Sequence, residues 1–265
     1  MTARLHHEVL GSAPRLVGFV HGIFGSGANW RSVARAVIAK RPTWGAVLVD
    51  LRLHGRREAS EPPHTVAACA ADLRALFDQL AGAGTPVEAA VGHSFGGKVV
   101  LATDGVAHRF ILDASPSPGR DWNAPDNSVR AAWESMHALD RVWPRRDDYV
   151  AALIARGHSA PLSAWLAMNL VATEGGLRNR LDLPAVRALL DDYGALELWP
   201  RVEDPAAGAL HFVVAGKSSA VSDADRARLA AVPHLTLTYL PEAGHWLNLD
   251  APAAVVDALV AGLPA

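Results

Sequence analysis

The chain predicts an α/β protein built on a doubly wound, mostly parallel sheet with a helical insertion. Three observations lead there. Short continuous apolar runs alternate with helical patterns near both ends of the chain, the stretch from about 119 to 207 reads as helices and turns, and the apolar runs end in polar residues such as His21, Asp50, Ser94 and Asp113. A continuous apolar run marks a strand buried on both faces, and strand–helix alternation stacks such strands in parallel.

Taken in order, residues 5–11 are expected to form an edge strand. Residues 16–20 (LVGFV) are the first buried strand, followed by His21-Gly22-Ile23-Phe24-Gly25-Ser26-Gly27 and a helix over 29–40. Residues 46–50 give the next strand and 51–55 a polar loop. Over 65–80 the apolar residues Val66, Cys69, Leu73, Leu76, Phe77 and Leu80 fall at helical spacing. A strand over 87–91, a serine turn, a helix to about Ala107 and a strand over 109–113 follow. Pro116, Pro118 and Pro125 then mark a boundary, and helices are expected over 128–139, 147–155, 162–172 and 184–190. Alternation resumes with a strand over 210–215, a helix over 222–231, a strand over 235–239 and a helix over 251–263. Residues 1–117 and 208–265 therefore form the expected core, and 118–207 a helical cap inserted after the sixth strand.

With 265 residues, half of them hydrophobic and 20% charged, the chain can bury a sizeable core. A formal charge of −2 provides no basic footprint, so neither nucleic acid nor an anionic membrane is an expected partner. Cys69 is the single cysteine, so no internal disulfide can form. The opening MTARLHHEVLG lacks the apolar segment of a secretion signal, and no apolar run approaches a membrane span. A cytoplasmic protein is expected, without membrane insertion.

The chemistry gathers at Gly92-His93-Ser94-Phe95-Gly96. A G-x-S-x-G pentapeptide between an apolar strand and a helix start holds its serine on a sharp turn, where side chains at the glycine positions would collide with neighbouring backbone. A hydroxyl is a poor nucleophile at neutral pH without a base. His245, after the last strand, is the one histidine of twelve in a suitable place. His93 is expected to pack or hydrogen-bond, and the other histidines show no metal-ligand spacing. Ligands of such sheets bind beyond the carboxyl ends of the strands, where His21, Asp50, Ser94, Asp113, Ser218, Ser219 and His245 converge.

Three segments, His21-Gly22-Ile23-Phe24-Gly25-Ser26, Gly92-His93-Ser94-Phe95-Gly96-Gly97 and Gly244-His245-Trp246, resemble the α/β-hydrolase superfamily. The likeness spans nearly the whole chain outside the cap. Asp50-x-Arg52-x-His54-Gly55 and Lys98 resemble a branch of small bacterial esterases and their mitochondrial relatives, which act on short- to medium-chain acyl esters and, in some members, acyl-CoA thioesters. The resemblance implies a cofactor-free serine hydrolase acting on a small acyl ester or thioester. Ser94 would be its nucleophile and His245 its base.

The acid departs from the superfamily's usual pattern. No carboxylate follows the strand over 210–215 until Asp223, whereas Asp113 ends the preceding strand. The esterase branch resembles the latter arrangement, with a serine at the usual acid position that maps to Ser218. Asp113 is therefore favoured, with Ser218 as an added hydrogen-bond partner, and Asp223 is the alternative acid. The oxyanion donors implied are the backbone N–H of Phe95 and one from the His21-Gly22 loop, Ile23 or, in a shifted loop, Phe24. His21 and Gly22 would support that loop.

The cap holds Trp122, Trp133, Trp143, Trp165 and Trp199, either lining an acyl pocket or packing cap helices together. Its Arg178, Arg180, Arg187 and Arg201 offer positive charge to an anionic substrate or to solvent. Three other readings compete. C–C bond hydrolases and lyases use the same constellation. A non-catalytic binding protein would not need the Ser94–His245 pair. A dinucleotide-binding oxidoreductase would use Gly22, Gly25 and Gly27 with Asp50 on the ribose, but the glycine spacing is G-x-x-G-x-G and the serine turn is left unexplained.

Overall fold

The computed structural model of the chain describes residues 4–56, 60–119 and 121–265. The expected elements of the first half are present as β1 (His7–Leu10), β2 (Arg15–Val20), α1 (Arg31–Lys40), β3 (Trp44–Val49), α2 (Val66–Gly82), β4 (Val87–His93), α3 (Phe95–Ala102) and β5 (His108–Leu112). An insertion follows, with α4 (Ser128–Ala138), α5 (Arg146–Ala155), α6 (Ala160–Leu166), β6 (Leu170–Thr173), β7 (Gly176–Asn179), α7 (Leu183–Ala195) and α8 (Trp199–Glu203). The chain closes with β8 (Ala209–Ala215), α9 (Asp223–Ala230), β9 (Leu235–Leu240), α10 (Leu247–Asp250) and α11 (Pro252–Gly262).

Seven strands form one sheet in the order β1-β3-β2-β4-β5-β8-β9. Only β1 runs antiparallel, against β3, and every other pairing is parallel. Along β2 the pleat divides the side chains: Leu16 and Val20 enter one apolar cluster, Val17 and Phe19 the other. Both faces are thus covered, with α1 and α11 on one side and α2 and α3 on the other. Thr65 caps α2 by accepting the Ala68 N–H at 3.1 Å, a contact worth about 1 kcal/mol.

The insertion differs from the sequence reading in two ways. The strand before it is the fifth in chain order rather than the sixth, because a single antiparallel strand precedes β2 among the described residues. Part of the expected helix over 162–172 is instead strand: β6 and β7 form an antiparallel hairpin, closed by Gly175 and Gly176 at φ +84° and +148°. Four-residue strands with a single buried side chain between them leave too short an alternation to detect. The insertion also shares its core with the sheet, since one apolar cluster holds Val20, Val49 and Phe95 together with Met136, Tyr149 and Leu189.

Buried Lys98 ties the two ends of the insertion to α3. Its Nζ donates to the carbonyls of Ser117 (2.7 Å), Tyr193 (3.0 Å) and Leu196 (2.8 Å). Burial lowers its pKa to about 8, opposed by the charges of Asp225 and Asp192.

Candidate active site

The strand order reverses between β2 and β4, which places the loop after β2 beside the turn after β4. Ser94 occupies that turn at φ 54° and ψ −119°, a conformation a non-glycine residue rarely adopts. The flanking glycines permit it. A Cβ at Gly92 would lie 2.2 Å from the Gly96 oxygen, and one at Gly96 would lie 2.5 Å from the His21 oxygen. Backbone bonds from Ser94 N–H to Leu112 O (2.9 Å) and from Asp113 N–H to Val213 O (2.8 Å) tie the serine turn and the next strand end together.

Ser94, His245 and Asp113 form one hydrogen-bonded chain across the sheet edge. The His245 Nδ1–H donates to Asp113 Oδ2 at 2.7 Å, leaving Nε2 to accept the Ser94 hydroxyl at 3.1 Å. Asp113 is fully buried, and its other oxygen accepts the Ala215 N–H at 3.1 Å. The His245 ring is 31% exposed, so a substrate can approach it. His93 fixes the loop beneath: its Nε2–H donates to the His245 carbonyl at 2.6 Å, and the two rings lie 4.7 Å apart. Burial, aided by the neighbouring His245, lowers the His93 pKa to about 3, so the ring is neutral.

The two remaining acid-position candidates lie apart from this chain. The Asp223 side chain is 97% exposed in the first turn of α9, paired with Arg226. Ser218, expected to assist the acid, instead has its hydroxyl on the Ala220 N–H at 3.1 Å, because its turn folds back on itself before α9.

Facing Ser94, the loop after β2 is held by the loop after β3. His21 Nε2 accepts the Leu51 N–H (3.0 Å) while its Nδ1–H donates to Gly22 O (2.7 Å). His54 Nε2 accepts the Phe24 N–H (3.1 Å) and its Nδ1–H donates to Arg52 O (2.8 Å). Burial lowers both pKa values, that of His54 to about 3, so both rings hold the loop as neutral acceptors. Asn169 of the insertion donates from Nδ2 to Phe24 O at 2.9 Å. Arg52 is buried on Asp72 at 2.8 Å, and breaking such a pair typically costs about 3–5 kcal/mol.

The loop amides differ in their partners. The Phe24 N–H is taken by His54, whereas those of Ile23 and Phe95 have no protein acceptor among the described residues. Asp50 also ties this region together: Oδ1 accepts the Gly27 N–H (2.7 Å) and Oδ2 the Arg56 N–H (2.8 Å). Sequence reasoning misses the roles of His54 and Asn169. The Asp50-x-Arg52-x-His54-Gly55 pattern is the available signal for the first, and nothing in the sequence marks the second.

Four of the five insertion tryptophans have packing roles. Trp122 meets Trp133, Trp143 meets Tyr149, and Trp199 donates to the Ser117 hydroxyl at 2.8 Å. Trp165 alone among the five lies beside the site, meeting Trp246 edge-on at 4.6 Å between ring centroids. Tyr193 covers Phe95 at 5.6 Å.

The chain is 28% identical over 256 residues to the mouse sn-1-specific diacylglycerol lipase ABHD11, covering 92% of this chain and 80% of that protein. It is 29% identical over 250 residues to Escherichia coli esterase YbfF, covering 91% and 89%. A solved marine microorganism esterase superposes with a TM-score of 0.81 at 21% identity, covering 98% of this chain and 100% of the other. Residues 19–258 match the alpha/beta hydrolase family, and the chain belongs to that family.

Proposed function

We propose that this chain is a serine hydrolase that cleaves carboxylic esters or acyl thioesters through an acyl-enzyme. The observation that carries the proposal is the unbroken hydrogen-bonded chain Ser94–His245–Asp113. Ser94 attacks the carbonyl carbon as His245 Nε2 takes its proton, and buried Asp113 stabilises the imidazolium that forms. The oxyanion is received by the N–H groups of Ile23 and Phe95, each such donor being worth about 2.7–4 kcal/mol in the transition state. His245 then protonates the leaving alcohol or thiol. Water, activated by the same ring, hydrolyses the acyl-enzyme.

The ester class is supported by the relatives, named as a lipase and an esterase. Residues 118–207 act as a cap on the site. A cytoplasmic setting belongs to the same proposal, supported by the lone cysteine; no helix among the described residues is long and apolar enough to cross a membrane. The test is a panel of p-nitrophenyl esters with acyl chains of increasing length, run beside acyl-CoA thioesters. Turnover that disappears in folded Ser94→Ala is the expected result. A folded wild-type protein that turns over none of them would overturn the proposal.

A further inference from the structure

Beside the serine site lies a cavity of about 220 Å³ that the proposed mechanism does not use. Its walls come from the loop after β2 (Phe24), the loop after β3 (Asp50 and Arg56), the first turn of α1 (Arg31) and the insertion (Trp165 and Arg180). Two of its lining residues connect it to the loops of the serine site. Phe24 directly follows Ile23, and Trp165 meets Trp246, the neighbour of His245, edge-on.

The charges around this cavity do not balance locally. Three guanidinium groups, Arg31, Arg56 and Arg180, face two carboxylates, Glu8 and Asp50. Glu8 is already paired with Arg31. Both oxygens of Asp50 accept backbone N–H groups, at 2.7 and 2.8 Å. Arg180 is pinned by a 2.6 Å bond from Nη1 to the Gly55 carbonyl, a neutral partner. Among the described residues, the Arg56 guanidinium has neither a hydrogen bond nor an ion pair. Burial lowers the Arg180 pKa; Asp50 opposes the shift, while the charges of Arg56 and Arg146 add to it. A group carrying negative charge would relieve that repulsion, and a planar guanidinium fork suits a carboxylate or phosphate.

We propose that Arg56 and Arg180 form an anion subsite that binds a carboxylate or phosphate group carried by the ester or thioester substrate. The inference rests on the hydrolase reading, because it places the anion on the molecule that Ser94 attacks. Since these contacts exist before and during reaction alike, losing them should raise KM more than it lowers kcat.

The test compares three esters: neutral p-nitrophenyl butyrate, p-nitrophenyl glutarate half-ester with a carboxylate on the acyl chain, and 4-(butyryloxy)phenyl phosphate with phosphate on the leaving group. The quantity read is the ratio of kcat/KM for each anionic ester to that for the neutral one. In Arg56→Gln, which breaks no side-chain hydrogen bond or ion pair among the described residues, at least one ratio is expected to fall about tenfold, carried mainly by KM. Arg180→Gln should lower the same ratio and Arg180→Lys should restore part of it. Which anionic ester responds identifies the source of the anion. A second measurement is calorimetric titration of Ser94→Ala protein with glutarate and with inorganic phosphate, where binding that is lost in Arg56→Gln supports the subsite without any chemistry. Ratios unchanged in both glutamine variants, or neither anion bound where no ester is turned over, would overturn the inference. Loss of ester turnover in the wild type with anion binding intact would overturn the hydrolase reading alone.

Discussion

Replacing Asp113 with asparagine keeps the shape of the side chain and inverts the chemistry of one end. The carboxylate accepts twice, from His245 Nδ1–H at 2.7 Å and from Ala215 N–H at 3.1 Å. An amide has one oxygen for these two donors. If the oxygen stays on Ala215, the NH₂ faces His245 and drives its proton to Nε2, where it blocks transfer from Ser94. If the amide flips, two donors oppose each other in a fully buried place, at about 1–3 kcal/mol. Either way the imidazolium loses its counter-charge, worth about 4 kcal/mol for charge centres near 4 Å at an effective dielectric of 20. That corresponds to roughly a thousandfold in rate. In serine proteases the same aspartate-to-asparagine change lowers kcat by about 10⁴. With Asp113 sealed from water and Ser218 turned away, we expect kcat for p-nitrophenyl butyrate to fall about 10³–10⁴-fold in folded Asp113→Asn. Exposed Asp223→Asn should stay within about twofold. A loss under about tenfold in Asp113→Asn, or a severe one in Asp223→Asn, would refute this assignment.

Two further outcomes follow from the buried cations and histidines. His54 and His93 stay neutral in the fold down to about pH 3, whereas in the unfolded chain histidine takes a proton near pH 6.5. The stability is therefore fully present well above pH 6.5 and falls as the pH drops, by about 3 kcal/mol between pH 6.5 and 5 for the two together; urea midpoints that do not move over this range would contradict it. Lys98→Met strands the carbonyls of Ser117, Tyr193 and Leu196 while removing the desolvated ammonium, for a net loss of about 2–4 kcal/mol. Urea unfolding measures it, and a variant as stable as the wild type would show that these contacts do not hold the insertion in place.

The elements legible in the sequence are those whose burial extends over whole segments. β2, β3 and β4 are sheet-centre strands buried on both faces, so each reads as an apolar run. Ser94 is legible because backbone crowding imposes glycine at two fixed offsets, and Asp113 because it ends a buried strand. The β6–β7 hairpin is not, because its four-residue strands bury only one side chain fully and its pairing depends on a tight turn. Nor is the dependence of the Ile23 loop on His54 and Asn169. These are single hydrogen bonds spanning 30 and 145 residues, and composition and periodicity carry no trace of them.

The most direct measurement of the proposed chemistry is intact-protein and peptide mass spectrometry after exposure to a fluorophosphonate, which stays bonded to an activated serine. One adduct per chain is expected, on the peptide containing Ser94, absent in Ser94→Ala and formed far more slowly in His245→Gln. An unlabelled folded wild-type protein, or an adduct on another residue that persists in Ser94→Ala, would contradict a nucleophile at Ser94.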